Sequence, residues 1–226
     1  MPTIRFTDVG HRYGDRSVLS QVDLTLSESR IGIIGSNGGG KSTLARMING
    51  LVTPTTGEVT VDDLSTKRHG RAIRQHVGFV FTDPNHQIIM PTVAEDIAFS
   101  LRRSGLSKSE RAQRVDAILE RFSLSGHADH PTHLLSGGQK QLLALAAVLV
   151  TAPKTIVADE PTTLLDLRNT RIIAETFAAL DQQLIVVTHQ LDLLADFDRV
   201  LLVESGRIVA DGEPADTIEH YRRLAT

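Results

Sequence analysis

The stretch Gly35-Ser36-Asn37-Gly38-Gly39-Gly40-Lys41-Ser42-Thr43 fits G-x-x-x-x-G-K-[ST] at every defined position, and these residue types suit the holding of a phosphate chain. The glycines let backbone N–H groups turn inward where a Cβ would obstruct an oxygen, and a helix starting after the loop adds partial positive charge. Lys41 would reach β- and γ-phosphates, and the Ser42 hydroxyl would ligate Mg²⁺. The flanks agree with this chemistry. Apolar Ile31-Gly32-Ile33-Ile34 precedes the loop as a short strand, and Leu44, Ala45, Met47 and Ile48 follow it with the spacing of a buried helix face. The alternative, a glycine-rich turn that merely links strand and helix, loses ground to that context.

Asp159-Glu160 closes a second apolar strand, Thr155 to Ala158, where a doubly wound sheet presents functional groups. One acid can hold Mg²⁺ while its neighbour orients water, a division that suits phosphoryl transfer. Alone, the pair is equally a solvated strand end; the phosphate loop upstream favours the functional reading. Leu135-Ser136-Gly137-Gly138-Gln139 contains a capping box, Ser136-x-x-Gln139, and marks a helix start. Two glycines after the cap leave terminal N–H groups unobstructed, so a plain cap and a second anion site both fit. His189 follows the strand Leu184 to Val187, where an imidazole could contact a γ-phosphate or attacking water, or serve a structural role. Tyr13, in the polar stretch His11-Arg12-Tyr13-Gly14-Asp15, is a candidate base-stacking surface or a seal on a strand edge. His127, His130 and His133 cluster in sequence, but Pro131 breaks any helix that could align them as metal ligands.

The elements that must carry these groups are legible. Ile4/Phe6 and Val22/Leu24/Leu26 alternate with polar residues as strands, with Gly10 and Gly14 punctuating the turns. Pro54 to Gly57 is a turn before a strand over Glu58 to Val61, and Val77 to Phe81 is a buried strand. Val93 to Val150 has a mostly helical pattern, with a capping box at Ser107-x-x-Glu110. After Thr155 to Ala158 come a helix near 168 to 180, the strand Leu184 to Val187, and a hairpin of Val200 to Val203 with Arg207 to Ala210 turned at Ser205-Gly206. Apolar strands alternating with helices imply an α/β protein with a mainly parallel sheet covered on both faces, interrupted by an inserted helical subdomain.

Composition narrows the function classes. The chain has 226 residues, 41% of them apolar, enough for a real core. Lys and Arg total 24 against 27 Asp and Glu, so a net charge of −3 gives no electrostatic reason to expect nucleic acid or anionic lipid. Without cysteine there are no disulfides, thiolate nucleophiles or Cys-based zinc sites. Met1 to Phe6 reads as a mature N-terminus, and the longest apolar run, Leu142 to Val150, is half of a bilayer span.

Taken together, Gly35 to Thr43, Leu135 to Gln139, Thr155 to Glu160 and His189 resemble, in order and spacing, the Walker A, signature, Walker B and switch-histidine motifs of ATP-binding-cassette (ABC) ATPases. The resemblance covers essentially the whole chain, and the Leu-Ser-Gly-Gly-Gln signature favours the second phosphate site over the plain cap. It implies a P-loop NTPase fold. Within it, 1–30 and 57–65 would form an antiparallel β subdomain, about 87–152 a helical subdomain, and the remainder a RecA-like nucleotide-binding core. It also implies a head-to-tail dimer, homomeric or heteromeric, in which Walker A of one subunit and Ser136, Gly137, Gly138 and Gln139 of the other enclose each ATP. On that mapping Tyr13 stacks on adenine, Asp159 holds Mg²⁺ through water, Glu160 polarises the lytic water, and His189 senses the γ-phosphate. Asp166, in Thr162-Thr163-Leu164-Leu165-Asp166, resembles the D-loop aspartate that crosses the interface.

One position departs from the family. The Q-loop glutamine falls at Thr82 in Val80-Phe81-Thr82-Asp83-Pro84, where a shorter hydroxyl would act on Mg²⁺ through a bridging water. Gln87 and Pro91 to Phe99 resemble the energy-coupling-factor branch, importers of vitamins and of cobalt or nickel. The resemblance therefore implies a peripheral motor at the cytoplasmic face of the cell membrane, working with a transmembrane coupling subunit and a substrate-binding membrane subunit, with biotin as the first guess. The rivals are a non-transport ABC ATPase and a nucleotide-binding regulatory module that does not hydrolyse. The first usually carries long insertions or tandem cassettes; against the second stand Glu160 and His189.

Overall fold

The computed structural model describes residues 1–163 and 165–224. Two long strands, β1 (Ile4–Tyr13) and β2 (Arg16–Leu26), open the chain and pair antiparallel across the Gly14-Asp15 turn. They bury alternate residues, Ile4 and Phe6 against Leu24 and Leu26, as half-buried strands must. Gly10 is not in a turn. It lies inside β1 at a register shift, pairs with Thr56, and has no room for a side chain, since a Cβ would stand 2.6 Å from Thr56 Oγ1.

Next come β3 (Arg30–Ile34), α1 (Lys41–Ile48), β4 (Thr56–Val61), β5 (Leu64–Ser65), α2 (Thr66–Ile73) and β6 (Val77–Val80). The helical stretch holds α3 (Val93–Ser100), α4 (Lys108–Arg121) and α5 (Gly137–Leu149). The capping boxes expected at Ser107/Glu110 and Ser136/Gln139 are formed, and a third, Thr92/Glu95, starts α3. The chain ends with β7 (Thr155–Asp159), α6 (Leu167–Ala178), β8 (Gln183–Val187), β9 (Arg199–Glu204), β10 (Arg207–Gly212) and α7 (Pro214–Leu224).

The strands form two sheets. One is antiparallel, in the order β2-β1-β4-β5; the other runs β10-β9-β3-β8-β7-β6. In the second, β3 pairs parallel with β8 and β9, β7 pairs parallel with β8, and β10 pairs antiparallel with β9. Ile31, Ile33, Ile34, Val157, Ile185, Val186 and Val187 are fully buried, each contributing about 1.5–3 kcal/mol of hydrophobic stabilisation. This is the doubly wound α/β core that the apolar runs imply.

By internal contacts the chain divides into two compact units. Met1–Phe79, Lys154–Glu160 and Ala179–Thr226 make one; Val80–Pro153 and Pro161–Ala178 make the other. Both sheets belong to the first, apart from the last residue of β6, and the second is helical. Among the described residues no helix is long and apolar enough to cross a membrane.

Arg199 fastens the edge of the core sheet. Its Nε and Nη2 each donate at 2.6 Å to the two carboxylate oxygens of Asp211, and Nη1 donates to Glu28 at 2.9 Å and to the Thr25 carbonyl at 2.8 Å. These bonds hold the guanidinium well above its ordinary pKa against the opposing effect of burial. A lysine cannot reproduce the fork. Arg199→Lys should cost about 1–2 kcal/mol and lower the melting temperature by about 2–6 °C, read by calorimetry; an unchanged melting curve would show that the fork contributes nothing.

Candidate functional site

Three neighbouring parallel strands deliver the candidate groups at their carboxyl ends. β3 runs into the loop at Gly35, β7 ends on Asp159-Glu160, and β8, between them, leads to Thr188 and His189. The backbone bonds Thr188 N to Ile33 O at 3.1 Å and Glu160 N to Val187 O at 2.8 Å lock these ends in register. A cleft of about 380 Å³ opens beside them, lined by Tyr13, Arg16 and Val18 on one side and by Asn37–Thr43 and Glu160 on the other. Tyr13 is 53% exposed at its lip, with the His11 ring edge-on to it at 4.5 Å between centroids. A second hollow of about 410 Å³, lined by Met1, Pro2, Asp62, Lys154, Asp181 and Gln182, lies towards the amino ends of β7 and β8 and collects neither glycine loop nor strand-end carboxylate.

The loop has the conformation its glycines were expected to allow. Gly35, Gly38 and Gly40 have φ of 139°, 79° and 109°. No side chain caps α1, so its first N–H groups keep the orphan donors of a helix start beside the cleft. Lys41 is buried, and its Nζ donates to the carbonyls of Gly35 at 2.8 Å and Ser36 at 2.9 Å. Burial lowers its pKa, opposed by the carboxylates of Glu160, Asp159 and Glu204.

Two pairs of side chains organise the acids. Asp159 is fully buried; its Oδ1 accepts from Ser42 Oγ at 2.7 Å and its Oδ2 from Arg46 Nη2 at 3.1 Å. Ser42 and Arg46 lie one helical turn apart and so share a face of α1. Glu160 adopts a left-handed φ of 52°, uncommon away from glycine, and its Oε2 lies 2.7 Å from His189 Nδ1. A carboxylate only accepts, so Nδ1 carries the hydrogen. An oxygen set of hydroxyl and buried carboxylate fits a hard divalent cation such as Mg²⁺.

Sequence reasoning missed Arg46, whose place one turn after Ser42 is its only signal. It also missed Glu204, whose carboxylate takes bonds from Ser36 Oγ at 2.7 Å and Ser36 N at 3.4 Å; no spacing links residues so distant in the chain.

The helical unit holds the other candidates. Ser136 Oγ accepts from Gln139 N at 3.3 Å and Gln139 Oε1 from Ser136 N at 2.9 Å, while Gln139 Nε2 sits 3.0 Å from His127 Nε2. The rings of His127 and His130 meet edge-on at 4.9 Å, and among the described residues no three His, Asp or Glu are grouped as metal ligands. Asp166 accepts from Asn169 N at 2.8 Å, at the start of α6; Leu164 of the same motif lies outside the described residues. Thr82 follows β6, half-buried. Gln87 is engaged at both ends of its amide, accepting from Phe81 N at 3.2 Å and donating to the Ala144 carbonyl at 2.9 Å.

The sequence pattern of the ABC transporter family matches residues 19–163. The chain belongs to the ABC transporter family. A Deinococcus radiodurans protein named only as an ABC transporter ATP-binding protein is 51% identical over 99% of both chains. The biotin transport ATP-binding protein BioM of Rhizobium etli is 45% identical over 98% of this chain and 99% of its own. The energy-coupling factor transporter ATP-binding protein EcfA1 of Caldanaerobacter subterraneus is 39% identical over 92% of this chain and 77% of its own. Among solved structures, cbiO1 of Clostridium perfringens, part of the ABC transporter complex cbiONQ, superposes with a TM-score of 0.83 at 28% identity over 98% of this chain and 92% of its own. A dimeric post-hydrolysis structure of the ATP-binding cassette MJ0796 with ADP and Pi gives 0.81 at 28% identity over 93% and 98%. The chain is thus an ATP-binding, ATP-hydrolysing subunit of the ABC transporter kind, with the P-loop NTPase fold expected of it. ABC ATPases of this kind dimerise and work with membrane subunits.

Gly138 offers a packing test within the helical unit. A Cβ on it would come within 2.4 Å of the Asn169 side chain, although alanine at a helical position is intrinsically better than glycine by about 1 kcal/mol. Gly138→Ala should therefore forfeit that gain, because the end of the Asn169 side chain has to move aside, and melt at or slightly below the parent. Added to Asn169→Ala, the same change should raise the melting temperature; no gain there would refute the contact.

Proposed function

We propose that this chain is the ATPase of an energy-coupling-factor type importer, and that it binds MgATP between two subunits placed head to tail. The observation that carries this reading is the convergence of the glycine loop, the Ser42–Asp159 pair and the His189–Glu160 pair at three adjacent strand ends. The N–H groups of the loop and of the start of α1 hold the phosphates. Lys41 exchanges its two carbonyl acceptors for β- and γ-phosphate oxygens. Tyr13 stacks on the base. Ser42 and Asp159 would hold Mg²⁺, which when bound neutralises charge on the phosphate oxygens. By the family resemblance, Thr82 takes the Q-loop position, where its hydroxyl would act on the metal through a bridging water.

Glu160 polarises the attacking water. Its Oε2 is occupied by His189 and its φ is fixed by the bond to Val187, so the carboxylate is held in one orientation before substrate arrives. Positioning and proton acceptance of this kind contribute about 10²–10⁴ in rate. His189 also senses the γ-phosphate. From the second subunit, Ser136 to Gln139 approach the same phosphate, and Asp166 lies at the interface. In the capping box the Ser136 and Gln139 side chains each accept from the other's backbone N–H, so the N–H groups of Gly137 and Gly138 and the Ser136 hydroxyl hydrogen are what this helix start offers. Residues 1–30 and 57–65 serve as the β subdomain, about 87–152 as the helical one, and the remainder as the nucleotide-binding core. ATP, contacting both subunits, favours the closed dimer, and its hydrolysis removes that preference. The motion passes through residues 82–99 to a transmembrane coupling subunit and a substrate-binding subunit at the cytoplasmic membrane face. The names of the BioM and EcfA1 relatives support a micronutrient importer, with biotin first; cobalt, nickel or another vitamin are the other cargoes of that branch.

Glu160→Gln should keep nucleotide affinity while lowering the turnover rate at least about 100-fold and accumulating dimer in ATP, measured by phosphate release and gel filtration. Near-normal hydrolysis would sink the role given to Glu160. Lys41→Ala should remove binding of a fluorescent ATP analogue. Co-purification with membrane subunits, followed by labelled biotin uptake in vesicles, tests the cargo; uptake of another cargo and not biotin would reject that choice.

A further inference from the structure

The phosphate loop is braced from outside by the tip of the β9–β10 hairpin. Three of its glycines hold positive φ, and a loop of this composition loses much conformational entropy on ordering. Within the loop and α1 it is held by one turn, Gly39 N to Ser36 O at 3.1 Å, and by Lys41 Nζ on the carbonyls of Gly35 and Ser36. Further bonds come from residues some 165 positions later. Gly206 N donates to Gly39 O at 2.9 Å, and Gly206 O accepts from Ser20 N at 2.9 Å, tying the hairpin tip to β2, whose Val18 lines the cleft. Val203 O approaches Gly35 so closely that a Cβ there would stand 1.9 Å away. Glu204, the last residue of β9, takes both the hydroxyl and the N–H of Ser36 on its two carboxylate oxygens, at 2.7 and 3.4 Å.

We infer that Glu204 is a positioning residue for the nucleotide, acting through Ser36 to hold the phosphate loop in its binding conformation before ATP arrives. The charge itself cannot be the benefit. A carboxylate beside the loop repels a polyphosphate, and its attraction for Lys41 duplicates that of Glu160 and Asp159. What Glu204 contributes is an acceptor in a fixed place, and the gain is a loop already ordered when the ligand binds. A glutamine drops the charge but keeps both contacts, its Oε1 accepting from Ser36 N while its NH2 donates to Ser36 Oγ; an alanine drops both contacts and the charge.

The inference rests on the reading that Gly35 to Thr43 holds the phosphates, so Lys41→Ala serves as the reference. Binding is measured by titrating each full-length variant with a fluorescent ATP analogue, alongside thermal melting. Glu204→Ala should weaken the analogue about tenfold, Ser36→Ala about as much, and the double variant no more than either alone, with melting temperatures within about 2 °C of the parent. Glu204→Gln should bind within about threefold of the parent, or tighter. Unchanged affinity in Glu204→Ala, additive losses in the double variant, or a Glu204→Gln as weak as the alanine would each overturn the inference. If Lys41→Ala loses binding while Glu204→Ala does not, only this inference fails; if Lys41→Ala binds normally, the loop assignment fails with it.

Discussion

The structure depends on burying one carboxylate. Asp159 has no solvent exposure, and an ionised group so placed is tolerated only when its lone pairs are taken by donors or cations. Ser42 and Arg46 supply both from one face of α1. Removing one partner from such a group typically costs about 3–5 kcal/mol, so α1 and β7 are held together by more than apolar packing. The consequence reaches the loop. With β3 fixed beside β8 and α1 fixed against Asp159, Gly35 to Gly40 must span a set distance, which the loop does with positive φ at Gly35, Gly38 and Gly40.

The neighbour of Asp159 solves a different problem. Glu160 must leave the strand at once, and its left-handed backbone stores strain of about 1–3 kcal/mol that the surrounding bonds have to offset. They do so from β8, whose Val187 carbonyl takes the Glu160 N–H and whose following residues bring His189 to the carboxylate. Two adjacent acids thus acquire opposite characters. Asp159 is sealed and fixed to a helix, and Glu160 is partly open and fixed to an imidazole.

Much of this was legible in the sequence because its causes are local. Alternation in β1 and β2, the apolar runs of β3, β7 and β8, and the capping boxes each depend on residues a few positions apart, and the glycine loop declares its own geometry. The family resemblance added the relation between distant motifs, and the fold agrees with it. What stayed hidden has partners far along the chain. Glu204 reads as the polar end of a hairpin strand until Ser36 is beside it, and His127 reads as one of three histidines until Gln139 meets it. Gly10 misled for a related reason: a glycine in a strand marks a close approach as readily as a turn, and Thr56 makes the approach.

The start of α5 shows how one residue type can answer two demands. In the capping box the Ser136 Oγ and Gln139 Oε1 each accept from the other residue's backbone N–H, and Gln139 Nε2 meets His127, so what is left to meet an anion is the Ser136 hydroxyl hydrogen and the backbone N–H groups of Gly137 and Gly138. Glycine after the cap clears the way to those N–H groups. Yet Gly138 is also pressed against Asn169, where a methyl group would collide. The two demands fall on different atoms, the amide on one side and the missing Cβ on the other, and a glycine satisfies both. Its presence alone is therefore weak support for an anion site. The stronger support is the cap, which orders the helix start without using the amides that an anion would need.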